Sequence, residues 1–208
     1  MTDYLTPASF GSGEYDEKRS RFLGKLWPVE TEDEARAWIE DTRKKYYDAR
    51  HNCFCYILRD GTVRYGDDGE PQGTAGQPML NVFQGEGLTD LCCVVTRYFG
   101  GVLLGAGGLV RAYTAAAKAA LADAGVQQMA LWREVRIPCP YPAFERVRRL
   151  LDAHEAVVTD TDYGAEVMLT ALLRHDRAED FAKALTELSA GSLLAAPLGE
   201  RFQGVRIR

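Results

Sequence analysis

The pattern of apolar residues after residue 130 is the sequence feature that most constrains the fold. Apolar residues recur at helical spacing over 142–156 and 176–191, and short apolar or alternating runs at 134–140, 157–164, 165–175 and 192–198 predict strands. The predicted order is β-α-β-β-α-β, which is the ferredoxin-like split βαβ arrangement. We therefore assign residues 131–208 to a ferredoxin-like C-terminal domain.

Residues 1–130 also mix helices and strands. A strand is predicted at 20–29, a helix from the capping box of Thr31 and Glu34 to about Tyr47, and a hairpin around Asp60-Gly61. An apolar run at 91–95 is typical of a buried central strand, and an alanine-rich helix ends at Gly125. The fold class is therefore α/β (α+β), with an N-terminal domain over 1–130 and a linker at 125–133.

Two glycine-rich segments in the N-terminal domain are candidates for a binding site. The second, Thr96 to Ala116, places five glycines between a strand and a helix, where backbone amides and the positive helix end favour an anion. Arg97 precedes the glycines, and Arg111 and Lys118 follow them at helical spacing. The spacing matches neither a P-loop nor a dinucleotide fingerprint. A tight turn with close helix packing is the alternative.

The first segment, Tyr65 to Leu80, is rich in carboxylates as well as glycine. Asp67, Asp68 and Glu70 suit either a hard metal ion, a basic partner or an Asx-type turn, and the turn is favoured over the metal. Thr74 and Gly76 are expected to present hydrogen-bond donors around the same cleft. We expect no metal and no cofactor.

Histidine and cysteine give little support for catalysis. His51 precedes a strand, where it is either a phosphate contact or a structural residue. The five cysteines lack the spacing of a zinc site, so buried thiols acting as small apolar groups are expected. The chain has no GxSxG elbow, and no catalytic residue is assigned.

Charge and hydropathy narrow the class of partner. The formal net charge of −5 excludes a broad basic surface, so nucleic-acid binding would need a local basic patch. The N-terminus has no secretory pattern, and no apolar run is long enough to span a bilayer. A cytoplasmic location without membrane contact is the expectation.

Four stretches resemble the YigZ/IMPACT family: KRSRF at 18–22, ARHNCFCY at 49–56, DDGEPQGTAGQPML at 67–80 and RYFGGVLLGAGGLVRAY at 97–113. Asn52 departs from the pattern, which often has a second histidine there. The resemblance implies the bacterial two-domain branch, with an N-terminal domain similar to elongation factor G domain IV, a left-handed βαβ fold. The C-terminal domain would be similar to domain V of the same factor.

The resemblance also implies a role. In the elongation factor both domains work against ribosomal RNA, and eukaryotic IMPACT members are similar to translation regulators that compete for the activator of a starvation-responsive kinase. The family supplies no catalytic residues to carry over.

We therefore expect a non-enzymatic, translation- or stress-linked regulator that binds RNA, the ribosome or a translation partner. Its candidate contacts are Arg21, Arg50, His51, Arg97, Gly100, Gly101, Gly105, Gly107, Gly108, Arg111 and Lys118, with a loop surface at Asp67, Asp68, Glu70, Thr74 and Gly76.

Two alternatives remain open at the level of sequence. The first is an enzyme or binding protein for a small phosphorylated or nucleotide ligand. The glycine loop loosely resembles that of sugar and mevalonate-type kinases, although it lacks their Ser-Ser. The second is a protein adaptor that docks through the two loops.

Overall fold

The computed structural model describes residues 3–208, which form a mixed α+β chain of two compact units. One unit comprises Tyr4–Met129 and Gly204–Arg208, and the other comprises Ala130–Gln203 with Asp3. The predicted α+β class with helices and two sheets is confirmed. No helix within the described range has the length and apolar character needed to span a membrane.

The N-terminal unit is built on a five-stranded antiparallel sheet in the order β2-β3-β6-β4-β5. Its elements are β1 (Tyr4–Pro7), β2 (Gly11–Glu17), β3 (Ser20–Pro28), α1 (Glu32–Lys45), β4 (His51–Ile57), β5 (Val63–Gly66), α2 (Gly76–Gly85), β6 (Leu91–Tyr98) and α3 (Gly105–Ala124). The pairing of Ile57 with Val63 confirms the hairpin predicted around Asp60-Gly61.

The central strand β6 is buried on both faces because helices cover both sides of the sheet. Cys93 and Val95 belong to the cluster under α2 and α3, whereas Cys92 and Val94 belong to the cluster under α1. This alternation follows from the two-residue period of a strand. Gly24 on β3 allows the close approach of α3, since a Cβ there would collide with the Ala116 carbonyl oxygen.

The helix α1 begins almost as predicted. Thr31 Oγ1 accepts a hydrogen bond from the Glu34 amide at 3.2 Å, which is half of a capping box. The Glu34 carboxylate reaches the Glu30 amide, at 2.8 Å, instead of the amide of the cap residue. Three acidic residues in the first turn and three basic residues in the last turn interact favourably with the helix dipole and stabilise α1.

The C-terminal unit has the predicted element order. It contains most of β7 (Val126–Cys139), then α4 (Phe144–Ala153), β8 (Val157–Tyr163), β9 (Val167–Arg174), α5 (Ala178–Leu188) and most of β10 (Ala196–Arg206). β7 pairs with β9 and with β10, and β9 pairs with β8. One sheet face packs on α4 and α5 through a core that includes Ile137, Leu151 and Phe181.

Two sequence expectations are wrong here. Residues 126–139 form one continuous strand, so the segment 125–133 is not an irregular linker, although the two units divide within it between Met129 and Ala130. Gly125 ends α3, and Val126 to Met129 pair with β1. The last strand lies at 196–206 instead of 192–198. Its residues are mostly exposed and lack the apolar alternation by which a strand is recognised in a sequence, so the prediction missed most of it.

A candidate binding cleft between the glycine-rich segments

Both glycine-rich segments line one cavity of about 390 Å³ in the N-terminal unit. The first segment contributes Glu70 and Pro71, and the second contributes Arg97 and the residues around the start of α3. The beginning of β4 completes the wall. The full lining is Arg50, His51, Glu70, Pro71, Arg97, Phe99, Leu103, Leu104, Gly105, Ala106 and Leu109.

A buried carboxylate with two strong donors lies at one side of this cavity. Glu70 Oε1 accepts hydrogen bonds from Arg97 Nη1 at 2.6 Å and from the Tyr113 hydroxyl at 2.8 Å. The Glu70 and Arg97 side chains are only 3% and 5% exposed, so this is a desolvated ion pair. Its two charges cancel within the protein.

The groups behind the ion pair remain protonated. Burial is the main cause that raises the pKa of Tyr113, and burial also raises the pKa of the Cys53 thiol. The thiol lies 3.3 Å from the Tyr113 hydroxyl oxygen and 3.0 Å from the Asp67 carbonyl oxygen. Neither group is therefore available as an anionic nucleophile near neutral pH.

The Arg97 guanidinium lies close to two aromatic rings. Its Cζ is 5.4 Å from the Phe22 ring centroid and 5.5 Å from that of Phe99. The Arg97 Nε atom is buried and has no hydrogen-bond partner in the described part of the chain. The structure thus places Arg97, which the sequence suggested as an anion contact, in a buried internal pair.

His51 lies at the edge of the cavity between two acceptors. Its Nδ1 is 2.7 Å from the Asp68 carbonyl oxygen, and its Nε2 is 3.8 Å from Glu70 Oε2. The Asn52 side-chain oxygen accepts a hydrogen bond from the Thr96 hydroxyl at 2.7 Å, and the Asn52 backbone amide donates to Asp68 Oδ2 at 2.7 Å. Asn52 therefore fixes the loop to the sheet.

Asp67 organises the start of α2. Its carboxylate accepts from the amides of Gly73, Ala75 and Gly76 at 2.8, 3.1 and 2.8 Å. The N-cap residue Ala75 supplies no side-chain bond, so Asp67 acts in its place. Thr74 donates to the Pro71 carbonyl oxygen. Within the described residues, no group of three or more His, Cys, Asp or Glu side chains is arranged to hold a metal.

The start of α3 faces the cavity without a capping side chain. Gly105 and Ala106 line the cavity, and the N-cap residue Leu104 makes no side-chain hydrogen bond to the first turn. The free amides and the helix dipole give this end a partial positive charge. Gly107 and Gly108 continue the first turn of the helix, and Gly101 belongs to the loop before it.

The tip of the β2–β3 hairpin is attached to the second glycine-rich segment. The Gly100 amide donates to Ser20 Oγ at 3.1 Å, and a Cβ on Gly100 would collide with the Arg19 backbone. The two tip residues, Lys18 and Arg19, have φ of 45° and 69°, a conformation that usually favours Asn-Gly. Both are exposed, with no ion pair within residues 3–208.

Sequence reasoning did not select Lys18 and Arg19, although both lie in the KRSRF stretch. The available signal was two basic residues at a hairpin position that normally takes asparagine and glycine. Other selected residues lie elsewhere: Arg21 is ion-paired with Glu14 at 3.0 Å, and Lys118 lines a different cavity beside Glu86. Arg97, Arg111 and Lys118 therefore do not meet at the cavity.

The loop before α3 exposes a short apolar surface. The exposed fractions are 46% for Phe99, 42% for Val102 and 83% for Leu103. Arg50 is exposed at the same cavity, and Arg111 is exposed on α3. The cleft thus combines one exposed cation, Arg50, with apolar groups and a helix end that has no side-chain cap.

Comparison with known proteins places these features in a family. The family model described as Impact N-terminal domain matches residues 18–121, and the Domain of unknown function (DUF1949) matches 137–192. The chain is 36% identical to "IMPACT family member YvyE" of Bacillus subtilis over 193 residues, covering 92% of this chain and 89% of that protein. It is 35% identical to "IMPACT family member YigZ" of Escherichia coli, covering 93% and 97%.

Two further similarities agree with this result. The "Protein IMPACT homolog" of Dictyostelium discoideum is 34% identical over 105 residues, which cover 48% of this chain and 30% of that protein. A crystal structure described only as that of a hypothetical protein matches with a TM-score of 0.60 at 33% identity, covering 97% of this chain and all of that one.

Proposed function

Because the chain belongs to the IMPACT family, we propose that it is a non-enzymatic regulator of translation that binds RNA at the cleft between the glycine-rich segments. The observation that carries the proposal is a set of exposed basic side chains with no ion-pair partner within residues 3–208: Arg50 lines the cleft, Lys18 and Arg19 form the hairpin tip bonded to the Gly100 loop, and Arg111 lies on α3, whose start opens into the cleft. Unpaired cations attract phosphates without first breaking an internal salt bridge.

The other groups at the cleft suit a nucleic-acid backbone with unpaired bases. The start of α3 offers amides to a phosphate, and the exposed ring of Phe99 offers a surface on which a base can stack. The formal net charge of −5 excludes a broad basic surface but is compatible with a local group of basic residues.

The buried groups of the cleft argue for binding rather than catalysis. Glu70 is already hydrogen-bonded to Arg97 and Tyr113, and the raised pKa of Tyr113 and Cys53 keeps both protonated. A general base or nucleophile needs an accessible atom within reach of a substrate proton or carbon. These residues instead hold the two glycine-rich segments together.

RNA binding measured across a salt series tests the proposal. Removing one phosphate contact should lower the slope of log affinity against log salt by about 0.7 for single-stranded RNA. We expect Lys18→Gln with Arg19→Gln, and Arg50→Gln with Arg111→Gln, to weaken binding and flatten the slope. Arg21→Gln and Lys118→Gln remove the same charge outside the cleft and serve as matched controls.

Two results would reject RNA binding at the cleft. One is the absence of binding to ribosomal or single-stranded RNA at low salt by the folded wild-type chain. The other is an equal loss of affinity in the control and cleft variants, because a general charge effect would then account for the binding.

The cavity itself favours a second candidate, a small phosphorylated ligand. Its volume of about 390 Å³ lies within the 300–1,000 Å³ typical of small-molecule sites, and a helix N-terminus opens into it. A ligand that binds only the folded chain raises the melting temperature by mass action. Thermal shift with nucleoside di- and triphosphates tests this, and no shift at millimolar concentration would exclude it.

A further inference from the structure

We propose that the N-terminal unit has a second site, separate from the cleft, where a nucleobase stacks on Trp38 and its phosphate lies near Lys25 and Lys45. The site is a groove of about 400 Å³ on the α1 side of the sheet, and its other lining residues are Phe10, Trp27, Asp41 and Thr42. We call it the aromatic groove.

Three aromatic rings in this groove are in contact: Trp38 stacks on Trp27, and Phe10 is tilted by 43° against Trp27. The Trp27 and Trp38 rings are nearly parallel, at 11°, with centroids 5.0 Å apart, and the Phe10 centroid lies 5.5 Å from Trp27. Trp27 is buried as part of the core under α1, whereas Trp38 and Phe10 remain 41% and 49% exposed. A single exposed ring is ordinary, but three rings in contact, two of them exposed, offer an aromatic platform.

The position of the groove follows from the sheet. Side chains of β3 alternate, so Phe22 and Leu26 pack under α3 while Trp27 packs with the core residues Ile39 and Val94 under α1. Trp38 belongs to α1 and stacks on Trp27, so its exposed ring lies on the face of the sheet opposite to α3. The groove and the cleft have no lining residue in common.

Two ammonium groups provide the charge. Lys25 Nζ lies 3.6 Å from the Tyr46 ring centroid, and Lys45 Nζ lies 5.6 Å from the same centroid. Neither lysine has a carboxylate partner in an ion pair within residues 3–208. Asp41 also lines the groove, but its carboxylate is 3.9 Å from Lys44 Nζ, which offsets its charge. Two cations near one ring attract an anion.

Aromatic rings beside unpaired lysines fit a ligand with a flat base and a phosphate. An apolar peptide would leave the two ammonium groups without a counter-charge, and a bare phosphate would leave the rings uncovered. A volume of about 400 Å³ is in the range of small-ligand sites and accommodates a nucleoside unit. Single-stranded RNA and free nucleotides share this chemistry.

Tryptophan fluorescence provides a direct assay. Replacing Trp132, which is buried in the other unit, by phenylalanine leaves Trp27 and Trp38 as reporters in the groove. We expect a uridine octamer to quench this emission, with affinity that falls as salt increases. Titration with uridine monophosphate distinguishes the source of the ligand: equal quenching by the monophosphate indicates a free nucleotide, and quenching by the octamer alone indicates single-stranded RNA.

Two kinds of variant test the residues. Removing an aromatic side chain on which a base stacks lowers the affinity about 5- to 150-fold. We expect Trp38→Ala to lower the affinity of the groove by a factor in this range. Trp38→Phe should retain most of the affinity. Lys25→Gln with Lys45→Gln changes one half-buried and one exposed side chain, both outside the core, and should weaken binding and its salt dependence even if Trp38→Ala proves unstable.

The cleft variants separate this site from the proposed function. Lys18→Gln with Arg19→Gln should leave quenching of the groove tryptophans unchanged, whatever its effect on RNA binding at the cleft. Absence of quenching by both ligands at low salt, or unchanged affinity in the Lys25 and Lys45 variant, would overturn the proposal. Binding of an apolar peptide in the groove, with no effect of either ligand, would also overturn it and assign the groove to protein docking.

Discussion

Substitutions of the buried pair between Glu70 and Arg97 should destabilise the N-terminal unit strongly. The two side chains are 3% and 5% exposed, and Glu70 Oε1 also holds the Tyr113 hydroxyl at 2.8 Å. Removing one partner of such a pair leaves a buried charge without compensation, at a cost of about 3–5 kcal/mol. We expect this cost for both Glu70→Gln and Arg97→Met.

The double variant should cost much less than the sum of the single variants. With both charges removed, no ion remains desolvated, and a coupling energy of at least about 2 kcal/mol is expected for residues in direct contact. Arg97→Met also keeps an apolar side chain between the rings of Phe22 and Phe99.

Urea unfolding of the full chain with Trp132→Phe measures these costs. The remaining reporters, Trp27 and Trp38, both lie in the N-terminal unit, so the signal follows that unit alone. Arg21→Met is the matched control, because the ion pair of Arg21 with Glu14 is exposed. Single-variant costs below about 1 kcal/mol, or full additivity in the double variant, would refute the reasoning.

Three further predictions concern α2, the hairpin and the thiols. Asp67→Ala should lower the free energy of unfolding by about 2–4 kcal/mol, because three amides at α2 lose their acceptor, and Asp67→Asn by less. Gly100→Ala should lower the melting temperature far more than Gly85→Ala, since its Cβ would collide with backbone atoms whereas Gly85 has free space. Burial raises the pKa of Cys53 and Cys92, so stability should fall above about pH 9 in urea titrations.

The sign of the pH effect follows from proton binding. Above about pH 9 an unfolded thiol loses its proton while the buried thiol keeps it, so the folded chain binds more protons and becomes less stable as the pH rises. The slope should decrease in Cys53→Ala. Equal alkaline slopes with and without that thiol would contradict the pKa argument.

Each of the other two predictions has its own contradicting result. If Asp67→Asn and Asp67→Ala unfold at the same urea concentration as the wild-type chain, Asp67 does not support α2. If Gly100→Ala melts within a degree of Gly85→Ala, the hairpin tip can move away from the loop at negligible cost.

Local patterns in the sequence predicted the fold best where packing and spacing agree. The C-terminal order was readable because Phe181 and Leu185 recur at helical spacing and Leu169 and Ala171 alternate in a strand. The strand at 196–206 was misplaced because it is mostly exposed, so its pairing with β7 leaves no apolar alternation. Backbone pairing between distant segments carries no local signal.

The site was predictable in its segments but not in its charges. Glycine and carboxylate patterns identified the two loops that line the cavity. Whether a basic residue is free or paired depends on residues far away in the chain, as in the pair of Arg97 with Glu70. Sequence spacing therefore selected the buried Arg97 and did not select Lys18 and Arg19 at the hairpin tip.

The unit that holds the cleft includes residues 204–208, which are separated from the rest of it by the whole of Ala130–Gln203. The Ile207 amide donates to the Val126 carbonyl oxygen at 2.9 Å, and the Val126 amide donates to the Arg208 carbonyl oxygen at 2.9 Å. During synthesis, a ribosome releases these residues only after it has made the entire second unit. The N-terminal unit therefore acquires its final backbone pairing late in translation, after the C-terminal core residues have emerged.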